Sequence, residues 1–287
     1  MMKIRVWGSR GSICAPGPQT IRYGGNTACV EVQTGAGKTI VLDAGSGLRL
    51  FGKELLRVKW TKEVTLLFTH AHWDHLMGFP FFTPAYLPGY TITLSGGPMA
   101  QDTIRKYLTR QMEPPFFPVD FSIMRAKFLF GCHCQNGQCP GTLDAAANQQ
   151  CNAIPLSHPN GGFGYSFSEQ GRKFVFLTDN ELGVAHAGSA SRDEYVEFCR
   201  GADLLFHDAQ YTEKEYRVTR GWGHSTFAEA VDLALDAGVR RLGLYHHDPD
   251  RTDDALDEQV AFCQARIKQR GSDMECFAVG EGMTFEV

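Results

Sequence analysis

The run Thr69-His70-Ala71-His72-Trp73-Asp74-His75 constrains this chain more than any other segment. It follows directly on residues 64–68, Val-Thr-Leu-Leu-Phe, an apolar stretch that reads as a buried strand. Side chains two apart on an extended segment point the same way, so His70 and His72 can serve a single ion. A turn beginning at Trp73 redirects Asp74 and His75 towards a second one. Imidazole and carboxylate are the ligands that zinc and similar divalent ions take. Four donors within six residues at the end of a buried strand need a compensating cation, because each unpaired buried polar group costs roughly 1–3 kcal/mol. The bland alternative is a solvated histidine-rich loop.

The rest of the chain alternates short strands with helices. Residues 4–7, 28–33 and 39–42 read as strands between Gly-rich turns. A helix is predicted over 48–58, a strand over 91–94 and a helix over 100–111. That helix carries Ile104, Tyr107, Leu108 and Met112 on one face and is stopped by Pro114, Pro115 and Pro118. The second half repeats the pattern. Strands at 165–168 and 173–177 flank a turn at Gly171, a helix covers 192–199 and a strand covers 204–207. Ser225 is the predicted N-cap of a helix over 226–236, with Gly238 as its stop signal. A strand at 241–245, a helix at 253–269 and strands at 274–279 and 283–287 complete the chain. No linker, repeat or charge block divides it. This order predicts an α/β fold, a four-layered αββα sandwich in which two packed sheets carry helices outside, spanning residues 1–287 as one domain.

Composition narrows the setting. With 43% hydrophobic and 21% charged residues over 287 positions, a mainly disordered chain is excluded. Residues 76–87 are the nearest approach to a membrane span and are cut by Pro80 and Pro84. The N-terminal MMKIRVWGSRG lacks an apolar core of the secretory kind. A cytoplasmic protein with no membrane partner is expected. Nine cysteines, an odd number, argue against a complete disulfide framework. Cys14, Cys29, Cys199, Cys263 and Cys276 read as small core hydrophobes. Cys132, Cys134, Cys139 and Cys151 form a Cys-rich insert over residues 131–152. Four thiolates, or three with His133, suit a third, structural zinc; free or redox-reactive thiols are the alternative.

The His70–His75 run is an HxHxDH motif, and through it the chain resembles the metallo-β-lactamase superfamily. Further residues match in order: His158 in Leu156-Ser157-His158-Pro159, Asp179 in Leu177-Thr178-Asp179-Asn180-Glu181, and His246 in Leu244-Tyr245-His246-His247. The resemblance covers the chain from the first strand, through the Asp43-Ala44-Gly45 turn, to the last strands. It implies an αββα sandwich with two divalent metal ions at one edge between the sheets. One ion would take His70, His72 and His158, and the other Asp74, His75 and His246. Asp179 and a water would lie between. Zinc is expected, with manganese and iron as alternatives. His247 is the alternative to His246, and otherwise a substrate contact or a neighbour of the ligands.

Paired ions make hydroxide available near neutral pH and polarise an electrophile. Asp74 would orient that hydroxide as well as bind metal. Asp208 in Phe206-His207-Asp208-Ala209 and His224 in Gly223-His224-Ser225-Thr226 resemble the proton-handling pair of the ribonuclease Z and phosphodiesterase branch, with Asp208 where that branch carries Glu. There Asp208 would orient His224, and His224 would stabilise developing charge or protonate the leaving oxygen. The alternative is a purely structural hydrogen-bonded pair. No long basic Gly-rich insertion is present, and 28 basic residues face 32 acidic ones, so no extended nucleic-acid surface is expected. A small phosphodiester, a cyclic nucleotide or short oligonucleotide, cleaved by a metal-bridging hydroxide is the leading expectation. The alternatives are a thioester or lactam hydrolase of the same fold and a metal-dependent oxidoreductase or redox sensor. The 157–164 loop, SHPNGGFG, is either a backbone phosphate cradle or a simple turn. Ser9-Arg10-Gly11-Ser12 and Gly24-Gly25-Asn26-Thr27 read as tight turns, with Arg10 as a candidate substrate contact. Dimerisation is common among similar proteins, which leaves a homodimer open; no interface is legible in the sequence.

Overall fold

Alternate residues of β4 (Glu63–Phe68) point into different cores, and that alternation, repeated across both sheets, builds the molecule. Val64, Leu66 and Phe68 join one apolar cluster, while Leu67 joins another. The computed structural model describes residues 1–96, 100–130 and 149–287.

The first sheet contains β1 (Lys3–Gly8), β2 (Cys29–Gln33), β3 (Thr39–Leu42), β4, β5 (Thr91–Gly96), β6 (Lys127–Phe130) and β13 (Thr284–Glu286). Their order is β13-β1-β2-β3-β4-β5-β6, antiparallel as far as β3 and parallel from β3 to β6. The second contains β7 (Gln149–Pro155), β8 (Phe163–Glu169), β9 (Arg172–Leu177), β10 (Leu204–Asp208), β11 (Arg241–Tyr245) and β12 (Glu275–Ala278). Its order is β12-β11-β10-β9-β8-β7, with β9 to β12 parallel. β8 and β9 close as a hairpin on Gln170 and Gly171, whose φ values of 52° and 76° are those a two-residue turn of the type I′ class needs.

Helices α1 (Leu48–Val58) and α2 (Ala100–Arg110) cover the first sheet. Leu48, Phe51 and Leu55, on one stripe of α1, are buried there. Helices α3 (Arg192–Cys199), α5 (Phe227–Asp236) and α6 (Asp253–Gln269) cover the second, burying Tyr195, Phe227, Val231, Leu256 and Ile267. Between the sheets, Val6, Val30, Val32, Ile40 and Leu42 meet Phe167, Phe174, Phe176, Leu204 and Phe206. Each such side chain contributes roughly 1.5–3 kcal/mol on full burial. The four layers, helix-sheet-sheet-helix, are those the residue pattern predicts.

Three elements escape the sequence reading. β6 and β7 are edge strands with weak apolar patterns, KFLF and QQCNAIP. α4 (Glu213–Thr219) buries no residue, and its signal is the capping box of Thr212 and Glu215. The cap of α5 is Thr226, boxed with Glu229, and not Ser225. Ser225 Oγ instead donates to Asn180 O and accepts from Leu182 N–H, tying two loops together. β7 begins at Gln149, so the last residues of the segment read as a Cys-rich insert lie in a strand. Cys151 lies within β7 and is buried in the inter-sheet core, whereas Cys132, Cys134 and Cys139 fall outside the described residues. No helix among the described residues is long and apolar enough to cross a membrane.

Candidate metal centre

Parallel strands bring their carboxyl ends to one edge, and in such sheets the sites gather there. β4, β9, β10 and β11 all end at this edge. The residues just beyond them are His70–His75, Asp179 and His246, with Asp208 as the last residue of β10. His158 arrives from the turn after β7 and His224 from the loop before α5.

Two groups of side chains converge. His70, His72, His158 and Asp179 form one, and Asp74, His75, Asp179 and His246 the other; within each, one ligand atom per residue lies within 4.8 Å of the rest. Asp179 belongs to both. Its Oδ1 lies 3.7 Å from Nε2 of both His70 and His158. Its Oδ2 lies 3.2 Å from His75 Nε2 and 3.3 Å from His246 Nε2. Asp74 Oδ2 is 3.2 Å from each of those two nitrogens. His158 Nε2 and His72 Nδ1 are 3.0 Å apart. The structure therefore brings together all seven residues that the sequence singles out as ligands.

Local backbone geometry aims them. A single 3-10 turn, Trp73–His75, follows the extended His72 and turns Asp74 and His75 inwards. Asp179 and His246 sit at φ 51° and 59°, and Asp43 at φ 61°. Non-glycine residues at positive φ are uncommon and cost of order 1–3 kcal/mol. Asp43 and His246 follow directly on strand ends and Asp179 lies two residues beyond β9, and in each the left-handed residue breaks the extended run and swings its side chain to the edge.

The imidazoles are oriented from behind. His75 Nδ1 lies 2.8 Å from Asp43, His246 Nδ1 3.0 Å from Gln210 Oε1, and His70 Nδ1 3.1 Å from Thr69 Oγ1. His158 Nδ1 donates to Gly223 O at 2.9 Å. Gly223 has φ 98°, and a Cβ there would stand 2.0 Å from His158 Nδ1, so only glycine fits. With Nδ1 engaged in each, Nε2 is the free ligand atom, the arrangement found behind metal-bound histidines. Ser12 N–H adds a hydrogen bond of 2.8 Å to Asp74 Oδ2.

These residues fit metal ions. His70 Nε2 and His75 Nε2 are buried inside the cluster with no hydrogen-bond partner among the described residues, and a buried orphan of this kind calls for a cation. The electrostatics agree. Burial works against a charged His75, yet Asp74, Asp179 and Asp43 together hold its pKa well above the ordinary imidazole value. Burial also works against charge on Asp179 and Asp74, and the surrounding histidines overcome it and hold both well below the usual carboxylate range. His158, desolvated by burial, falls to about 4 and is a neutral lone-pair donor. The pocket thus sets carboxylate charge beside the neutral imidazole of His158 and a proton on His75 that a cation would replace, a donor set for divalent cations.

Beside the centre, His224 Nδ1 lies 2.6 Å from Asp208 Oδ2, with both side chains buried. The imidazole of His224 stacks on that of His246, centroids 4.9 Å apart, and meets His158 edge-on at 5.2 Å. Burial lowers its basicity, but the charge of Asp208 and the hydrogen bond to it raise the pKa to about 9. Backbone N–H groups of Gln210 and Ser225 hold Asp208 Oδ1.

Some expectations are corrected. Arg10 is fully buried, and its guanidinium donates to the carbonyls of Gly24, Asp248 and Arg251, so it ties loops together and presents no exposed face to a substrate. His247 turns away from the centre and lies 2.7 Å from Val279 O. In the 157–164 loop, Gly161 N–H donates to His158 O and Phe163 N–H to Thr69 O, so those two amides serve the turn. The sequence reading missed the supporting residues Thr69, Gln210 and Glu181. Glu181 is buried and accepts from Tyr216 Oη–H and from the N–H groups of Gly221 and Gly223. Asp43 was visible only as part of a turn. No short-range pattern marks such residues, since their partners lie far away in sequence.

Residues 38–247 match the beta-lactamase superfamily domain. A ribonuclease Z from Brevibacillus brevis is 37% identical over 101 residues, 35% of this chain and 29% of that protein. A ribonuclease Z from Gemmatimonas aurantiaca is 24% identical over an alignment of 292 positions, covering 84% of this chain and 88% of that protein. Among solved structures, the metallo-beta-lactamase fold protein YhfI from Bacillus subtilis superposes with a TM-score of 0.67 at 19% identity, covering 100% of this chain and 99% of that one. At that identity the likeness is one of fold.

Proposed function

The chain belongs to the β-lactamase superfamily, in its ribonuclease Z-like branch, as a metal-dependent hydrolase, and from that premise we propose that it cleaves a small phosphodiester, a cyclic nucleotide or short oligonucleotide, at a two-metal centre. His70, His72 and His158 hold one ion in this reading, and Asp74, His75 and His246 the other, with Asp179 reaching both. The three interlocked cores support treating residues 1–287 as one domain. Zinc suits this donor set, and manganese and iron are compatible with it.

When bound, paired divalent ions lower the pKa of water and polarise a phosphoryl oxygen. The remaining work falls to the chain. Breaking the P–O bond leaves an oxygen that needs a proton. His224 carries one on Nε2 once Nδ1 is committed to Asp208, and Asp208 stabilises the imidazolium until transfer. The buried Asp208–His224 contact of 2.6 Å beside the ligands is the observation that carries the reading, because an alkoxide leaving oxygen needs a proton donor whereas the thiolate of a thioester leaves without one. Asp208 takes the place of a longer Glu, and the short contact shows that its reach suffices.

The test combines metal analysis with a panel of bis(p-nitrophenyl) phosphate, cyclic nucleotides, short RNA, a lactam and a thioester. Phosphodiester turnover that falls by about 10²–10⁴ in His224→Ala, at unchanged metal content, is expected. Activity on a thioester with none on any phosphodiester would overturn the reading.

A further inference from the structure

We propose that the apolar groove beside the metal centre is a subsite for a nucleotide unit next to the scissile phosphate, binding its base by stacking and its phosphate by two arginines. The inference rests on the phosphodiester reading and gives that substrate a second point of attachment.

The groove has a volume of about 900 Å³, at the upper end of the roughly 300–1,000 Å³ typical of small-molecule sites. Its wall begins within the metal-binding run. Ala71 and Trp73, which alternate with the ligands His70, His72 and Asp74, both line it. Cys14, two residues beyond the Ser12 amide that holds Asp74, lines the same wall. A molecule seated there adjoins the reacting centre through one loop.

Aromatic exposure is the unusual feature. Trp73, Phe81 and Phe116 line the groove and are 70%, 54% and 80% exposed. Scattered apolar residues on a surface need no explanation, but a contiguous aromatic patch around a concavity does. Phe81 is braced edge-on by Phe117, ring centroids 5.6 Å apart, so part of this surface is held rigid without a ligand. Flat π surfaces of this kind accept nucleobases with little regard to sequence.

Charge selects the occupant. Arg49 and Arg110 also line the groove. Among the described residues neither takes part in an ion pair, whereas Arg5 and Arg57 are paired with Glu54 and Arg10 is committed to carbonyls. Among the described residues, no aspartate or glutamate lines the groove. An apolar peptide would leave both guanidinium groups uncompensated. A planar base joined to a phosphate satisfies the two halves of the surface together, since guanidinium groups pair with phosphate oxygens.

The test uses the full-length, metal-loaded protein. The ligand is a dinucleotide carrying a terminal phosphate and an uncleavable phosphonate linkage, and its affinity is measured by calorimetry. A matched ligand lacks one base. Phe116 and Arg110 are surface residues, so Phe116→Ala and Arg110→Glu fold normally, as unchanged metal content and melting temperature will show. Each should weaken binding by about tenfold or more. Removing the base should cost the wild type a similar factor and cost Phe116→Ala almost nothing. Unchanged affinity in both variants, or no dependence on the base in the wild type, would overturn the subsite. A shift in sedimentation of Phe116→Ala with unaltered nucleotide affinity would overturn it in favour of a contact between copies. Base-dependent binding by a protein that cleaves no phosphodiester would leave the subsite standing and remove the phosphodiesterase reading.

Discussion

His75 Nδ1 lies 2.8 Å from Asp43 Oδ2, and neither side chain has any solvent exposure. The contact fixes the ring so that Nε2 faces Asp74 and Asp179. Thr69 donates to Asp43 through both its N–H and its hydroxyl, so the carboxylate is itself held.

Asp43→Asn keeps the shape of the side chain and removes the charge behind His75. Metal affinity should fall by about 10–100-fold, the usual effect of losing such a partner. Equilibrium dialysis against a graded chelator, followed by elemental analysis, measures it. Wild-type retention of metal would show that Asp43 merely fills space.

The Asp208–His224 pair sets a pH limit. The pKa of His224 in the folded chain, about 9, lies above the roughly 6.5 of a free imidazole. The pair therefore adds stability fully below pH ~6.5 and loses it as pH rises through the folded value. The protonated form is also the proton donor, so kcat should fall on an alkaline limb at or below pH 9, bound cations pulling it lower. In Asp208→Asn that limb should move to lower pH, and a pH–rate profile from about 5 to about 10 reads the shift. An unmoved limb assigns the ionisation to another group.

Glu181 holds the loop that carries Gly223 and His224. Glu181→Gln leaves at least one donor among Tyr216, Gly221 and Gly223 poorly paired, at a cost of roughly 1–3 kcal/mol in urea denaturation. Burial raises the pKa of Glu181, but the hydrogen bonds from Tyr216, His186 and the two glycines outweigh it and the net shift is downward. Its contribution is thus present above the unfolded carboxylate value of ~4.3 and lost as pH falls through the folded one. The difference in stability between wild type and variant should shrink on acidification. A constant difference would mean that the charge plays no part.

Removal of metal should lower the melting temperature and weaken the site region first. Asp74, Asp179 and Asp43 then face one another across buried imidazoles with only a proton on His75 between them. At metal concentrations about 1,000-fold above Kd the linkage is worth about 4 kcal/mol. Calorimetry of the chelated and reloaded protein reads the change, and zinc, manganese and iron each restore it to a degree that ranks them. No change on chelation would place the ions outside the folded-state balance.

Chemistry-bearing residues that sit together along the chain were legible without coordinates. The His70–His75 run carries its meaning locally, because a strand end and a one-turn bend need only neighbouring residues to aim four ligands. The strand and helix periodicities gave the layer order for the same reason: each element's buried face is written in its own alternation. Tertiary structure alone decided what depends on distant partners. Arg10, in sequence part of a tight turn and a candidate substrate contact, is locked by carbonyls of residues 24, 248 and 251. His246 and His247 are neighbours in sequence, and the left-handed backbone at His246 sends one into the centre and the other to Val279. Asp43 lies 32 positions from His75, a separation that no periodicity spans, and the aromatic groove assembles from loops that only the packed sheets bring together. Local backbone preference acts over a few residues, whereas orientation of a ligand or closure of a groove requires the burial and hydrogen bonding that folding supplies.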